Sequence, residues 1–401
     1  MKRVCGLDVH KDIILCAVYN GKKHELVKEY STLTNSIQKM GDDLLDIGVS
    51  QIAMESTGIY WIPIWNILEV MGFDLLLVNP YLIKQMPGRK SDAKDARWIA
   101  SLLYKGMLRG SLVPNYQIRE LRTYSRKYVK LQQRQTSVLQ AMERTLEMCN
   151  IRLTSFVSNI SAQSVQNVIK AIIQGETSAE ILLKLVHSRI VNKHSREKIQ
   201  ESLTGFITDH QRFTLELSLE EYELLVQQSE RCLKKMENLC KEHYLKELEL
   251  LQTIPGISLI AAMLILAETG ADMKAFEDSG KLSGWTGLRP RNDESAGKFK
   301  STATTKGNRF LRAILVQVAW AASRTKGSFF MGTYSRLAMR KGRKKALIAV
   351  ARKISTIVWN VLNFEKEYDP TLLPVYDPIK LKAKIDYHQK EITRIGKLTE
   401  K

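Results

Sequence analysis

The stretch from Ile13 to Tyr19, apolar and partly β-branched and closed by Asn20-Gly21, most constrains the start of this chain. Asn-Gly after such a run is a hairpin signal, because both residues tolerate the positive φ of a tight turn. Val4 to Asp8 precedes it as a first short strand, and His24 to Tyr30 follows as a third. From Thr34 to Ile47 the period changes: Ile37, Met40, Leu44 and Leu45 share one side of a helix, and Gly48 stops it. Ile52 to Glu55 reads as a fourth strand, Tyr60 to Met71 as a helix ended by Gly72, and Phe73 to Val78 as a buried strand closed by Asn79-Pro80. Three strands, helix, strand, helix, strand, helix is the order of an α/β domain with a mixed sheet.

From about Gln117 to Leu250 no convincing strand pattern occurs. Glu120 to Met148 and Leu217 to Leu251 are long, charged and helical in spacing, which predicts two antiparallel helices with smaller ones between 160 and 210. A coiled-coil arm is expected, although strict heptads are not sustained; such an arm serves as a spacer or an oligomerisation element. At "IPGIS", Ile254 to Ser258, an apolar helix opens that runs to Glu268 and ends at Gly270. Two readings fit: a helix-hairpin-helix-like turn offering N–H groups to a phosphate, or an ordinary helix start punctuated by Pro-Gly. The expected domains are 1–115, an α/β domain; 116–250, the helical arm; 251–363, a mainly α domain; and 364–401, a helix-like tail of mixed charge.

The chain has 401 residues and a net charge of +19, and that charge is localised. Residues 281–353 hold 18 Lys and Arg against two acids, Asp293 and Glu294, a net of +16. So concentrated a charge is the footprint of a nucleic-acid partner rather than a device for solubility. The candidate phosphate contacts are Lys298, Lys300, Lys306, Arg309 and Arg312, then Arg340, Lys341, Arg343, Lys344 and Lys345. Trp285, Phe310, Phe329, Phe330 and Tyr334 are interleaved with them; lying among Leu, Ile and Val, most are expected to pack a core rather than stack on bases. Five dispersed cysteines without a C-x-x-C pair suit free thiols in a reducing compartment. No apolar signal core opens the chain and no apolar run approaches a membrane span, so a soluble, cytoplasmic protein with no membrane partner is expected.

Against this basic background four acids stand out. Asp8 ends the first strand and Glu55 the fourth; if those strands are neighbours, the two carboxylates meet in a half-buried place. Asp92 and Asp95, in "KSDAKDARWIA", lie three apart and so on one face of a helix after the last strand. The plain reading of that pair is a solvated helix start, where acids favour the first turn. Convergence of all four would instead make a hard oxygen cage for Mg²⁺, one or two ions, able to polarise a phosphodiester. Which of Asp92 and Asp95 would orient a nucleophile is left open by spacing alone.

The order of strands and acids resembles an RNase H-like nuclease domain of the RuvC type with an Asp-Glu-Asp-Asp set. "GLDVHKD", "MESTGIYW", "VNP" and "KSDAKDA" together resemble the N-terminal domain of DEDD insertion-sequence transposases. These are relatives of site-specific DNA invertases, and some are guided by a bridge RNA. "IPGIS…AAMLILAETG", "FEDSGKLSGWTGLRPRNDESAGK" and "TTKGNRFLRAILVQVAWAA" resemble the family's C-terminal transposase domain. The resemblance implies a prokaryotic, nucleoid-associated enzyme that cleaves and rejoins DNA at an element's ends and target. It also implies a homo-oligomer, dimer or tetramer, joined through the arm. It maps a serine nucleophile onto Ser295, in "NDESAGK", which would form a phosphoserine link with DNA. Lys298, Lys300 and Lys306 lie close enough in sequence to hold the phosphate. Ser301 is a local competitor. The rival enzyme reading is a metal-dependent, structure-specific junction nuclease in which water attacks; the non-enzyme reading is a basic nucleic-acid scaffold with solvated acids.

Overall fold

The computed structural model describes residues 2–56, 58–79, 92–157, 159–291, 293–295, 298–301, 303–372 and single positions at 386, 389, 392 and 393; of 92–94, 293–295, 298–301 and 372 it describes the backbone alone. The chain divides into two compact units, Met1–Pro114 and Asn115–Lys401.

The first unit is a five-stranded sheet in the order β3-β2-β1-β4-β5. β1 (Val4–Val9), β2 (Ile13–Tyr19) and β3 (His24–Ser31) form an antiparallel meander. β4 (Gln51–Glu55) and β5 (Asp74–Val78) continue parallel to β1. The strand alternation assigns the two faces. Cys5, Leu7 and Val9 join Ile52 and Met54 in a core completed by Ile37, Met40 and Leu44 of α1 (Thr34–Asp46) and Ile64 and Leu68 of α2 (Trp61–Val70). The intervening residues Val4, Ala53 and Val78 pack on the other face against Ile99 and Leu103 of α3 (Asp92–Tyr104). The parallel steps β1-β4 and β4-β5 are separated by helices α1 and α2, as parallel neighbours require.

The second unit is almost wholly helical. α4 (Tyr116–Met148) and α9 (Asp209–His243) pair antiparallel along their length. Asn115 caps α4 by accepting from the Ile118 N–H, and Thr208 with Gln211 forms a capping box on α9, so α9 begins eight residues before the Leu217 expected from spacing. Between them α5 (Gln163–Ile173), α6 (Ala179–Leu185), α7 (Ser188–His194) and α8 (Arg196–Ser202) close a core around Met142, Leu146, Ile169, Ile172 and Leu215. The helix expected to run through to Leu251 breaks at Tyr244, and α10 (Leu245–Gln252) restarts it.

The remainder packs α11 (Leu259–Thr269), α12 (Ser279–Trp285), α13 (Arg309–Ala322), α14 (Phe329–Lys341) and α15 (Arg343–Phe364) together, with a short hairpin of β6 (Asp293–Ser295) and β7 (Lys298–Ser301). The turn at Ile254–Ser258 faces protein: Gly256 has φ +90°, and a Cβ there would meet Ala322 N at 2.7 Å and Val318 O at 2.8 Å, both on α13. Of the interleaved aromatics, Phe330 is fully buried, and Trp285, Phe310, Phe329 and Tyr334 are half-buried. Contrary to the expectation from sequence, one run does reach the length of a membrane span: Arg343–Phe364 is a helix long and apolar enough to cross one, at mean hydropathy 1.2. Its stripe of Val350, Ile354, Val358 and Val361 is buried against neighbouring helices, the behaviour of a core helix. All five cysteines are free; Cys5 and Cys16 sit side by side with sulfurs 3.4 Å apart. The tail beyond 372 lies outside the described residues save for the single positions above.

Candidate active site

Strand alternation carries the acids to one face. Asp8 follows Val4 and Gly6 by twos, and Glu55 follows Ala53, so both belong to the α3 face of the sheet. The parallel register of β1 and β4 pairs Gly6 with Ala53 and Leu7 with Met54, which brings Asp8 and Glu55 to the same end of adjacent strands.

α3 reaches them because Gly6 has no side chain. A Cβ at Gly6 would stand 2.4 Å from both Ala96 O and Ala100 N, so only glycine lets the helix backbone lie this close to the sheet. Ala96, Ile99 and Ala100 are completely buried where the helix meets the strand. Asp95, the residue before Ala96, is thereby brought within electrostatic reach of Asp8.

Asp8 is 7% exposed. Burial pushes its carboxyl above the usual range; His10 opposes this, while the charges of Glu55 and Asp95 push the same way. The His10 ring lies against it, Nε2 to Oδ2 at 3.2 Å. His10 had no role in the reading of the sequence, yet the i, i+2 spacing at a strand end was a signal for it. The donors at this site are hard oxygens, and their mutual repulsion is what a divalent cation would relieve. Among the described residues, no group of three His, Cys, Asp or Glu side chains stands in an arrangement that could hold a metal ion. Asp92 opens α3 one turn before Asp95, but its side chain lies outside the described residues.

In the second unit, Ser295 ends β6 and pairs in register with Lys298, while Ser301 ends β7 opposite Asp293. The side chains of Ser295, Lys298, Lys300 and Ser301 lie outside the described residues. Lys306 and Arg309 are exposed, as are Arg340, Lys341, Arg343, Lys344 and Lys345, which straddle the break at Gly342. Arg312 is held by protein: it donates to Gly287 O and, at 2.9 Å, to Thr304 Oγ1, tying α13 to the loops around it.

A buried charge cluster escaped the reading of the sequence. Glu268, with no exposed surface, accepts from Arg126 through both oxygens, at 2.9 and 3.0 Å, and from Asn308 Nδ2 at 2.6 Å. Arg122 donates to the carbonyls of Ala267 and Glu268. Asn308 also caps α13, accepting from the Phe310 and Leu311 N–H groups. The cluster therefore joins α4, α11 and the start of α13. Its sequence signal was a lone acid inside an otherwise apolar helix.

A mixed sheet in the order 3-2-1-4-5, with acids at the ends of its two neighbouring parallel strands, defines an α/β domain with a carboxylate-bearing sheet edge. Residues 5–151 match the DEDD_Tnp_IS110 transposase family, and residues 248–334 match the family described as Transposase IS116/IS110/IS902. Both segments are thus similar to families of IS110-type transposases. It is 32% identical over 142 residues to the y4pF/y4sB transposase of Sinorhizobium fredii, covering 33% of this chain and 35% of that one. It is 32% identical over 124 residues to the transposase for insertion sequence element IS1111A of Coxiella burnetii, covering 29% and 33%. The aligned region thus spans about a third of the length of these curated relatives. Among solved structures, Thermus thermophilus RuvC in complex with a Holliday junction substrate overlaps 28% of this chain and all of its own, at 13% identity and a TM-score of 0.23. That overlap is too loose to carry an argument about the fold.

Proposed function

We propose that this protein is a transposase that cuts and rejoins DNA strands, with Asp8, Glu55, Asp92 and Asp95 as the cation-holding set and Ser295 as the nucleophile. The observation that carries the reading is the meeting of Asp8 and Glu55 at the ends of adjacent parallel strands, with Asp95 coupled to Asp8 from α3. The match of two separate segments to transposase families supports it.

Bound Mg²⁺ would supply charge stabilisation at the phosphodiester oxygens. The chain's own groups do the rest. His10 holds the Asp8 carboxylate in place. The Ser295 hydroxyl attacks phosphorus and gives its proton to a base; the 3′ oxygen departs and takes up a proton, leaving the 5′ phosphate esterified to serine. A 3′ hydroxyl of a second strand then displaces the serine, so no bond energy is lost to water. Lys298, Lys300, Lys306, Arg309 and Arg312 grip phosphates, as do Arg340, Lys341, Arg343, Lys344 and Lys345. The helical arm is read as a coiled-coil-like element that joins copies into a dimer or tetramer. A bridge RNA is the guide the family resemblance implies, and sequencing the RNA that copurifies with the protein tests it.

The test of the nucleophile uses a nicked DNA substrate that lacks the acceptor hydroxyl. The parent should form a DNA–protein adduct that survives denaturation and disappears with protease. Ser295→Ala should lose the adduct and recombination, and Ser301→Ala should keep both. Mg²⁺-dependent cleavage by Ser295→Ala would make water the nucleophile and the protein a RuvC-like nuclease.

A further inference from the structure

The arm has a feature that a mere spacer would not need. Along α4 and α9, Gln135 donates to Leu225 O and Ser229 Oγ, both at 2.9 Å, and this fixes the antiparallel register. The same register runs the segment around Lys127 beside the one around Lys235. There the two helices border a cleft of about 660 Å³ whose lining includes Tyr124, Lys127, Arg231, Cys232, Lys234 and Lys235. That is within the range of roughly 300–1,000 Å³ seen for ligand-holding clefts.

Four cations line this cleft and, among the described residues, no acid does. All four are exposed, and among the described residues none makes an ion pair. Elsewhere the arm compensates its charges: Arg134 pairs with Glu221 at 3.1 Å and Lys170 with Glu223 at 2.7 Å. Flanking positions of paired helices ordinarily carry opposite charges that hold the pair together. Here Arg231 and Lys235, four apart on one helix, repel each other and Lys127 on the other. An arrangement that weakens the free helix pair is explained if an anion occupies the cleft.

We propose that this cleft binds the phosphodiester backbone of a nucleic-acid strand, so that the arm grips nucleic acid as well as linking the regions on either side of it. The inference goes beyond the proposed function and holds whether serine or water attacks. A chain of phosphates matches four cations set along a groove, and Tyr124 adds an aromatic wall on which a base can stack.

Cys232 makes the test direct, because it lines the cleft and the other four cysteines are buried. The full-length protein is alkylated with N-ethylmaleimide alone and with saturating single-stranded RNA, single-stranded DNA or duplex DNA. Protection of Cys232 by several-fold with any of these strands supports the site, and comparison of the three shows which strand it prefers. The second readout is the salt dependence of binding to the protecting strand. The variant Lys127→Gln/Arg231→Gln/Lys234→Gln/Lys235→Gln should lower the slope by about 0.7 for each phosphate left unneutralised on a single strand, or about 0.9 on a duplex. The control Lys184→Gln/Arg189→Gln/Lys193→Gln/Lys198→Gln removes equal charge from the exposed small helices of the arm and should leave the slope unchanged. Cys232 reacting equally fast with every strand bound overturns the proposal, as does an equal loss of slope in both variants. Loss of self-association in the first variant with its slope intact would also overturn it, making the cleft a face for protein.

Discussion

Arg126 on α4 and Glu268 at the end of α11 form a two-pronged ion pair, Nε to Oε1 at 2.9 Å and Nη2 to Oε2 at 3.0 Å, with the carboxylate wholly enclosed. The fork geometry satisfies both oxygens, and Asn308 supplies a further donor from the start of α13. The pair thus ties the arm to α11, and Asn308 extends the tie to α13, the helix that follows the β6-β7 hairpin.

Glu268→Gln should therefore cost stability. Removing one partner leaves Arg122 and Arg126 without their counter-charge, a loss of about 3 kcal/mol, at the low end for buried pairs because Arg126 can turn to water. Urea unfolding followed by circular dichroism measures it. Replacing both Glu268 and Arg126 by Met should cost less than the sum of the single changes; strict additivity would mean the two are not coupled.

Gly6→Ala tests how α3 is seated. The new methyl would meet backbone atoms at 2.4 Å, and backbone cannot rotate away. Overpacking of this kind costs about 1–3 kcal/mol. The larger effect should be on activity, since α3 carries Asp92 and Asp95. Strand transfer should fall far more than the melting temperature does. Full activity in a stable variant would show that the helix need not lie this close.

Asp8→Asn should stabilise the metal-free protein at neutral pH. Burial, with the charges of Glu55 and Asp95, raises the native carboxyl's pKa, so the native state holds this proton more tightly than the unfolded chain does. Ionisation therefore costs native stability, a cost absent below the ordinary aspartate range near about 3.9 and growing as pH rises through the window up to the raised value. The variant's gain in melting temperature should vanish at acidic pH. Mg²⁺ should raise the melting temperature of the parent more than that of the variant, while strand transfer by the variant is abolished. A variant less stable than the parent at neutral pH without metal would show that His10 outweighs the repulsion.

The cations around Gly342 should act through phosphates. Arg340, Lys341, Arg343, Lys344 and Lys345 are exposed and without ion pairs among the described residues. Replacing all five by Gln should flatten the salt dependence of duplex DNA binding by up to about 0.9 for each phosphate they neutralise. An unchanged slope in titrations followed by fluorescence anisotropy would make them a solvated helix face.

Local pattern sufficed for much of this protein. A continuous apolar run and the Asn20-Gly21 turn marked β2 to the residue, and a period of 3.6 marked α1 and the two long helices, because those signals depend only on near neighbours along the chain. Asp8 and Glu55 were visible as acids at the ends of apolar strands, and the net charge of 281–353 needed only counting. Tertiary structure decided what depends on distant partners. Pairing of β1 with β4 made Asp8 and Glu55 neighbours, and the bare backbone of Gly6 brought Asp95 to them. Arg312 reads as one cation among many until Gly287 and Thr304 are seen to hold it. Glu268 found its arginine 142 positions away, and no periodicity encodes such a distance; only the packing of α11 against α4 brings the two charges together, and only their pairing makes the burial tolerable.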